Sequence, residues 1–207
     1  MAEADRWDRV YASEQHLFTK APNGFLVEVA GGLVPGRALD IGMGQGRNAI
    51  WLAERGWEVT GLEISEEGVR VAEKSLTRRR GDTEEDAENS KIKIEMRVVQ
   101  ASVEEFPIGV GEWDLIVGMY VHGVMLRESA RVIAGLRAGG RVVVEGFHRD
   151  VMKLGIEGMT GGLPGYKTNA LLRKYLELRI ERYEETVAVA DWRRIEAPIV
   201  RMVARKE

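Results

Sequence analysis

The chain has 207 residues, 44% hydrophobic and 30% charged, which is enough for one well-buried core of ordinary globular composition. A formal net charge of -3 offers no basic field to a polyanion, and the apolar runs are only a few residues long, so neither nucleic acid nor a bilayer is an expected partner. Cysteine is absent and there are only three histidines, which excludes disulfides and thiolate chemistry and predicts no metal site.

The first stretch, MAEADRWDRVYASEQ, is charged and amphipathic and lacks the pattern of a secretory leader, so a cytoplasmic location is expected. Trp7 and Tyr11 lie four apart and share one face of a predicted N-terminal helix. A second helix is predicted from Phe25 to Leu33, ended by Pro35-Gly36. Strand-like runs then alternate with helical patterns. Arg37 to Ile41 reads as a buried strand, Arg47 to Arg55 as a helix and Trp57 to Leu62 as a second strand. Val69, Ala72 and Leu76 mark a helix that ends at Arg80-Gly81, followed by GDTEEDAENS as a solvated loop. Lys91 to Gln100, Trp113 to Gly118 and Gly140 to Gly146 are the next three strands. Between the last two, Leu126, Ala130, Ile133 and Ala134 recur at helical spacing, and RAGGR turns the chain into the final strand of that set. Beyond the glycine-rich LGIEGMTGGLPG and a helix from Asn169 to Tyr175, Leu178 to Ala190 and Ala197 to Arg205 follow as two strands with no helix between them. The alternation predicts an α/β fold with helices on both faces of a mostly parallel sheet, and the last two strands predict an antiparallel hairpin at its edge.

The segment ALDIGMGQGRNAIWLAERGWEVTGLEIS concentrates the chemistry. Gly42, Gly44 and Gly46 follow the first strand, where an open parallel sheet binds its ligands, and glycine leaves room for a ligand to touch the main chain. Glu63 ends the second strand, 23 residues after Asp40 (63 − 40), and can accept from both hydroxyls of a ribose. Together these point to an adenosine. Dinucleotide folds space their glycines G-x-G-x-x-G so that a helix end meets pyrophosphate, whereas here the spacing is G-x-G-x-G with Arg47 at the longer pattern's third glycine. S-adenosylmethionine carries no phosphate and needs no such helix end.

The same stretch resembles motifs I and II of the class I S-adenosylmethionine-dependent methyltransferases, and GRNAIWLAERG is similar to their tellurite-resistance-type, small-molecule branch. The likeness continues through EWDLIVG, LRAGGRVVVEGF, LELRIERYEET and PIVRMVARK, nearly the whole chain. It implies a Rossmann-like seven-stranded sheet in a single domain. Residues 1–34 would form a helical cover, 35–147 the cofactor-binding core, and 148–207 an acceptor-side loop, helix and hairpin. It further implies that S-adenosylmethionine is bound, and S-adenosylhomocysteine released, by Asp40, by the turn of Gly42, Met43, Gly44 and Gly46, and by Asn48. Glu63 would hold the ribose, Ile64 would pack on adenine, and Ser102 and Val103 would meet the adenine edge, with Ser102 standing where relatives often carry Asp. Gly118 and Met119 would line the methionine end, and Trp7 and Tyr11 resemble the W-D-x-x-Y element that lays an N-terminal helix over the cofactor.

A methyl sulfonium is already electrophilic, so the protein needs chiefly to align a nucleophile, and a base only for a protonated acceptor. His122 and Tyr120, in GMYVHG, are the candidate catalytic residues, with His148 and Arg149 further along the same sheet edge and His16 given no role. GMYVHG has no Asn/Asp-Pro-Pro-aromatic element of the nucleic-acid amino methyltransferases, which predicts a small-molecule acceptor. A nicotinamide-dependent oxidoreductase and a non-catalytic S-adenosylmethionine-binding protein are the alternatives, and the chain is expected as a monomer or homodimer.

Overall fold

The structure is a computed structural model that describes residues 3–12, 19–85, 94–155, 165–191 and 194–207. Contacts within the chain divide it into two compact units, one reaching Phe106 and the other running from Pro107 with Thr19 added.

In the first unit, α1 (Glu3–Ala12) and α2 (Gly24–Ala30) precede β1 (Arg37–Ile41), α3 (Arg47–Ala53), β2 (Glu58–Glu63), α4 (Glu66–Glu85) and β3 (Met96–Gln100). The three strands pair in parallel in the order β3-β2-β1, with Asp40 opposite Gly61 and Glu63 opposite Gln100. Beyond Arg37, β1 is buried throughout, as a strand covered on both faces must be. Asn23 caps α2 through its side-chain oxygen, which accepts from the Leu26 N–H at 3.0 Å, and α3 starts directly after Gly46 at φ +81°.

Two expectations change here. α4 continues to Glu85, so the first half of the acidic stretch is helix and not loop; residues 86–90 of it lie outside the described residues. A missing apolar period does not separate helix from loop, and one glycine, worth about 1 kcal/mol against alanine, does not end the helix. β3 begins at Met96, with Ile94 and Glu95 outside the strand and residues 91–93 not described.

The second unit contains β4 (Trp113–Met119), α5 (His122–Arg127), α6 (Ser129–Gly135), β5 (Leu136–Phe147), a 3-10 helix (Arg149–Leu154), α7 (Ala170–Lys174), β6 (Arg179–Ala190) and β7 (Ile195–Arg205). Its strands run in the order β4-β5-β7-β6, parallel at β4–β5 and antiparallel at both later pairings. The single helix predicted around Leu126 to Ala134 is two, broken at Glu128. RAGGR lies within β5 as an irregularity and not before it: Leu136 pairs with Trp113 and Arg141 with Leu115, so the register shifts across residues 137–140, where Gly139, at φ +81°, donates its N–H to the Lys206 carbonyl at 2.8 Å. Gly140 has no room for a side chain, since a Cβ there would lie 2.7 Å from the Trp113 carbonyl oxygen.

The molecule thus has the seven-stranded, mostly parallel sheet with a C-terminal antiparallel hairpin that the pattern predicts. Its core is aliphatic along the strands (Leu39, Leu62, Leu115, Val143, Met202) with Trp57, Phe147 and Tyr175 filling the larger gaps.

Candidate functional site

The glycine turn closes the C-terminal end of β1. Gly42, Gly44 and Gly46 all have positive φ (67°, 57° and 81°), a conformation that a side chain would strain. Met43 ties the turn to β2 by donating its N–H to the Leu62 carbonyl at 2.8 Å, and its thioether packs onto Gly61, which leaves only its main chain facing the turn. Asn48 is buried, and its oxygen accepts from the Asn23 N–H at 2.8 Å, so its side-chain acceptor serves α2 instead of the turn.

Asp40 is 1% exposed. It accepts from the Ala49 N–H, while Oδ2 has no hydrogen-bond partner among the described residues. Burial raises its carboxyl to about 7, with the Arg47 charge opposing the rise and the Glu63 charge adding to it. A buried carboxylate oxygen left without a donor is costly, so this atom calls for a cation or donor supplied from outside the chain.

Glu63 is almost fully buried at the end of β2. Oε2 accepts from the Gly44 N–H, and Oε1 from the Ile64 and Ser65 N–H groups, each at 2.9 Å. Burial pushes its pKa up against those three bonds. Ionised carboxylates offer about four acceptor positions, so capacity remains on Oε2. Ser102 and Val103 lie just beyond β3: Ala101 donates its N–H to the Glu63 carbonyl at 3.0 Å, the Ser102 hydroxyl accepts from the Glu105 N–H at 3.3 Å, and Val103 is buried. Tyr11 reaches the same place from α1, because a Cβ built on Gly44 would collide with its hydroxyl. Burial, then the Glu63 charge, holds that phenol well above its ordinary pKa. The first unit therefore gathers Tyr11, Asp40, the glycine turn, Glu63 and Ile64.

In the second unit the residues after β4 form a different cluster. Tyr120 has φ +63°, a rare and strained backbone for a bulky residue. Its N–H donates to the Glu145 carbonyl at 2.7 Å and its hydroxyl to Glu145 Oε1 at 2.8 Å. Glu145 is fully buried in β5, and Oε2 accepts from Arg201 Nε of β7 at 2.7 Å. Neither Glu145 nor Arg201 was singled out above; a lone acid inside VVVEGF was the available signal. His122 is buried, and its Nε2 accepts from the Phe147 N–H at 2.7 Å. Burial lowers its pKa to about 4, so at neutral pH the ring is uncharged with that lone pair engaged, which does not suit a base. Gly118 lacks a side chain because Met125 fills the space, its sulfur 2.5 Å from where a Cβ would stand, and Met119 is buried at the end of β4. His148 caps the 3-10 helix by accepting from the Asp150 N–H at 3.2 Å, Arg149 is exposed, and His16 lies outside the described residues.

Residues 38–140 match the family model for a methyltransferase domain. TehB from Haemophilus influenzae superposes with a TM-score of 0.67 at 19% identity, over 97% of this chain and 67% of that one. The magnesium protoporphyrin IX methyltransferase ChlM from Synechocystis PCC 6803, solved with bound S-adenosylhomocysteine, gives 0.61 at 20% identity over 98% and 93%. In sequence, 44 residues are 41% identical to the ribosomal RNA small subunit methyltransferase C of Alcanivorax borkumensis, 21% of this chain and only 14% of that relative's length. The domain match identifies residues 38–140 as a methyltransferase domain, and the sheet around it has the fold of these methyltransferase structures. The family's methyl donor fits the residues present, for Asp40 Oδ2 lacks the donor that a methionine ammonium would provide, and Glu63 keeps acceptor capacity for a ribose hydroxyl.

Proposed function

We propose that the protein transfers the methyl group of S-adenosylmethionine directly to a small-molecule acceptor. The observation that carries the reading is the buried Oδ2 of Asp40, without a partner among the described residues, beside three glycines of positive φ. In this reading Asp40 receives the amino group, the main chain from Gly42 to Gly46 follows the methionine portion, and Glu63 holds the ribose. Ile64 packs on the adenine, Ser102 and Val103 meet its edge, and Tyr11 covers the turn. When bound, the cofactor supplies a methyl group activated by its sulfonium; the chain's residues orient it and exclude water.

Tyr120 is the residue on which acceptor chemistry is proposed to rest, because its hydroxyl proton is already directed at Glu145. His122 is assigned to holding the end of β5. A small acceptor is favoured by the net charge of -3 and by GMYVHG, which lacks the proline pair of base-modifying enzymes. No helix among the described residues is long and apolar enough to cross a membrane, and no group of side chains among them could hold a metal. The test is S-adenosylhomocysteine release over a panel of thiols, chalcogen oxyanions, halides, phenols and amines, with ribosomal RNA as a separate arm. Turnover with a small acceptor and none with RNA is expected; turnover with RNA alone would replace the small-molecule reading.

A further inference from the structure

Nothing in α1 is fully buried, and at ten residues it is too short to persist alone in water, so particular side chains must keep it docked. Asp8 Oδ1 accepts from the Ser65 hydroxyl at 2.6 Å and from the Glu67 N–H at 3.2 Å, both at the start of α4. Ser65 is fully buried, and its hydroxyl oxygen in turn accepts from the Gly68 N–H at 2.9 Å, capping that helix. A carboxylate at this end of a 20-residue helix is also favoured by the helix dipole.

The contacts continue inward. The Ser65 N–H donates to Glu63 Oε1 and the Gly44 N–H to Glu63 Oε2, so hydrogen bonds run without a break from Asp8 through Ser65 and Glu63 to the glycine turn. Three residues after Asp8, Tyr11 lies over that turn: a Cβ on Gly44 would meet its hydroxyl, and one on Gly68 would stand 3.0 Å from its ring. The approach that glycine opens at residue 44 is therefore bounded by a side chain whose placement depends on α1.

We propose that Asp8 is a positioning residue, which by capping α4 from a separate helix holds Tyr11 over the glycine turn and so governs how tightly the cofactor is retained. The proposal rests on the reading of that turn as the cofactor site. Ser65 is the relay, and the residue type at position 8 matters through its acceptor oxygen more than through its bulk.

Two measurements on the full-length protein decide it. Amide hydrogen exchange of residues 3–12 without ligand reports docking of α1, and calorimetry with S-adenosylhomocysteine reports affinity. In Asp8→Ala, exchange across α1 is expected to rise about tenfold or more and affinity to fall about tenfold, the scale of a lost cap, with the melting temperature nearly unchanged. Asp8→Asn keeps an oxygen for Ser65 and Glu67 and is expected to recover most of both. Unchanged exchange in Asp8→Ala removes the anchor, and raised exchange with unchanged affinity removes its link to the cofactor. Wild-type protein that binds no S-adenosylhomocysteine contradicts the cofactor reading itself, and the link with it, while the exchange arm still reports whether Asp8 docks α1.

Discussion

Burial raises the Asp40 carboxyl to about 7, and the sign of its consequences follows. A folded-state pKa above the unfolded value makes ligand-free protein lose stability as pH rises from about 4 to 7. An ammonium beside Asp40 prefers the ionised form, so affinity for S-adenosylhomocysteine should increase through pH 7 and then level off. Asp40→Asn should flatten that profile and weaken binding about tenfold or more, both read by calorimetry across pH. Gly44→Val should abolish binding, because its φ of +57° strains any side chain and a Cβ would meet Tyr11. His122 has the opposite linkage. Its pKa of about 4 lies below the unfolded value of 6.5, so stability is lost as pH falls through that interval. His122→Leu should remove that slope and cost about 1–3 kcal/mol by removing the ring nitrogen that accepts from the buried Phe147 N–H, measurable by chemical denaturation. The placement of Asp40, Glu63 and the glycines at the strand ends was legible, because it follows from position along the chain. The state of His122 was not, since it is set by burial and its ring nitrogen is taken up by an N–H 25 residues further along.

At the scale of elements, the Glu145–Arg201 pair joins β5 to β7 within an antiparallel register. Arg201→Met should destabilise the protein by about 3–5 kcal/mol, because it strands a buried charge, and adding Glu145→Gln should restore part of the loss. Denaturation of the single and double variants checks this; equal stability of wild type and Arg201→Met would show the pair to be unimportant. The succession of strands and helices and the C-terminal hairpin were readable from apolar runs and glycine punctuation. Element ends were not, for a polar helix end and a polar loop share a composition, as in α4 beyond Arg80. The two glycines of RAGGR look like a turn in one dimension, and they do bend the chain, but inside β5, between the pairs Leu136–Trp113 and Arg141–Leu115. Pairing partners of that kind are distant in sequence and leave no local mark.

For the whole molecule, the domain match over residues 38–140 and the seven-stranded sheet support the proposed methyl transfer, and the proposed small acceptor is the part that demands chemistry in solution. The sequence pointed to the donor because donor recognition is concentrated in one turn and one acid. The proposed acceptor side falls instead to side chains such as Tyr120, whose environment is made by Glu145 on another strand. The most direct measurement is titration of the protein with S-adenosylmethionine and, separately, with NADH, followed by assay of S-adenosylhomocysteine release with the acceptor panel. Binding of S-adenosylmethionine alone, with release stimulated by a small acceptor, is the predicted result. Binding of NADH without S-adenosylmethionine would contradict the account.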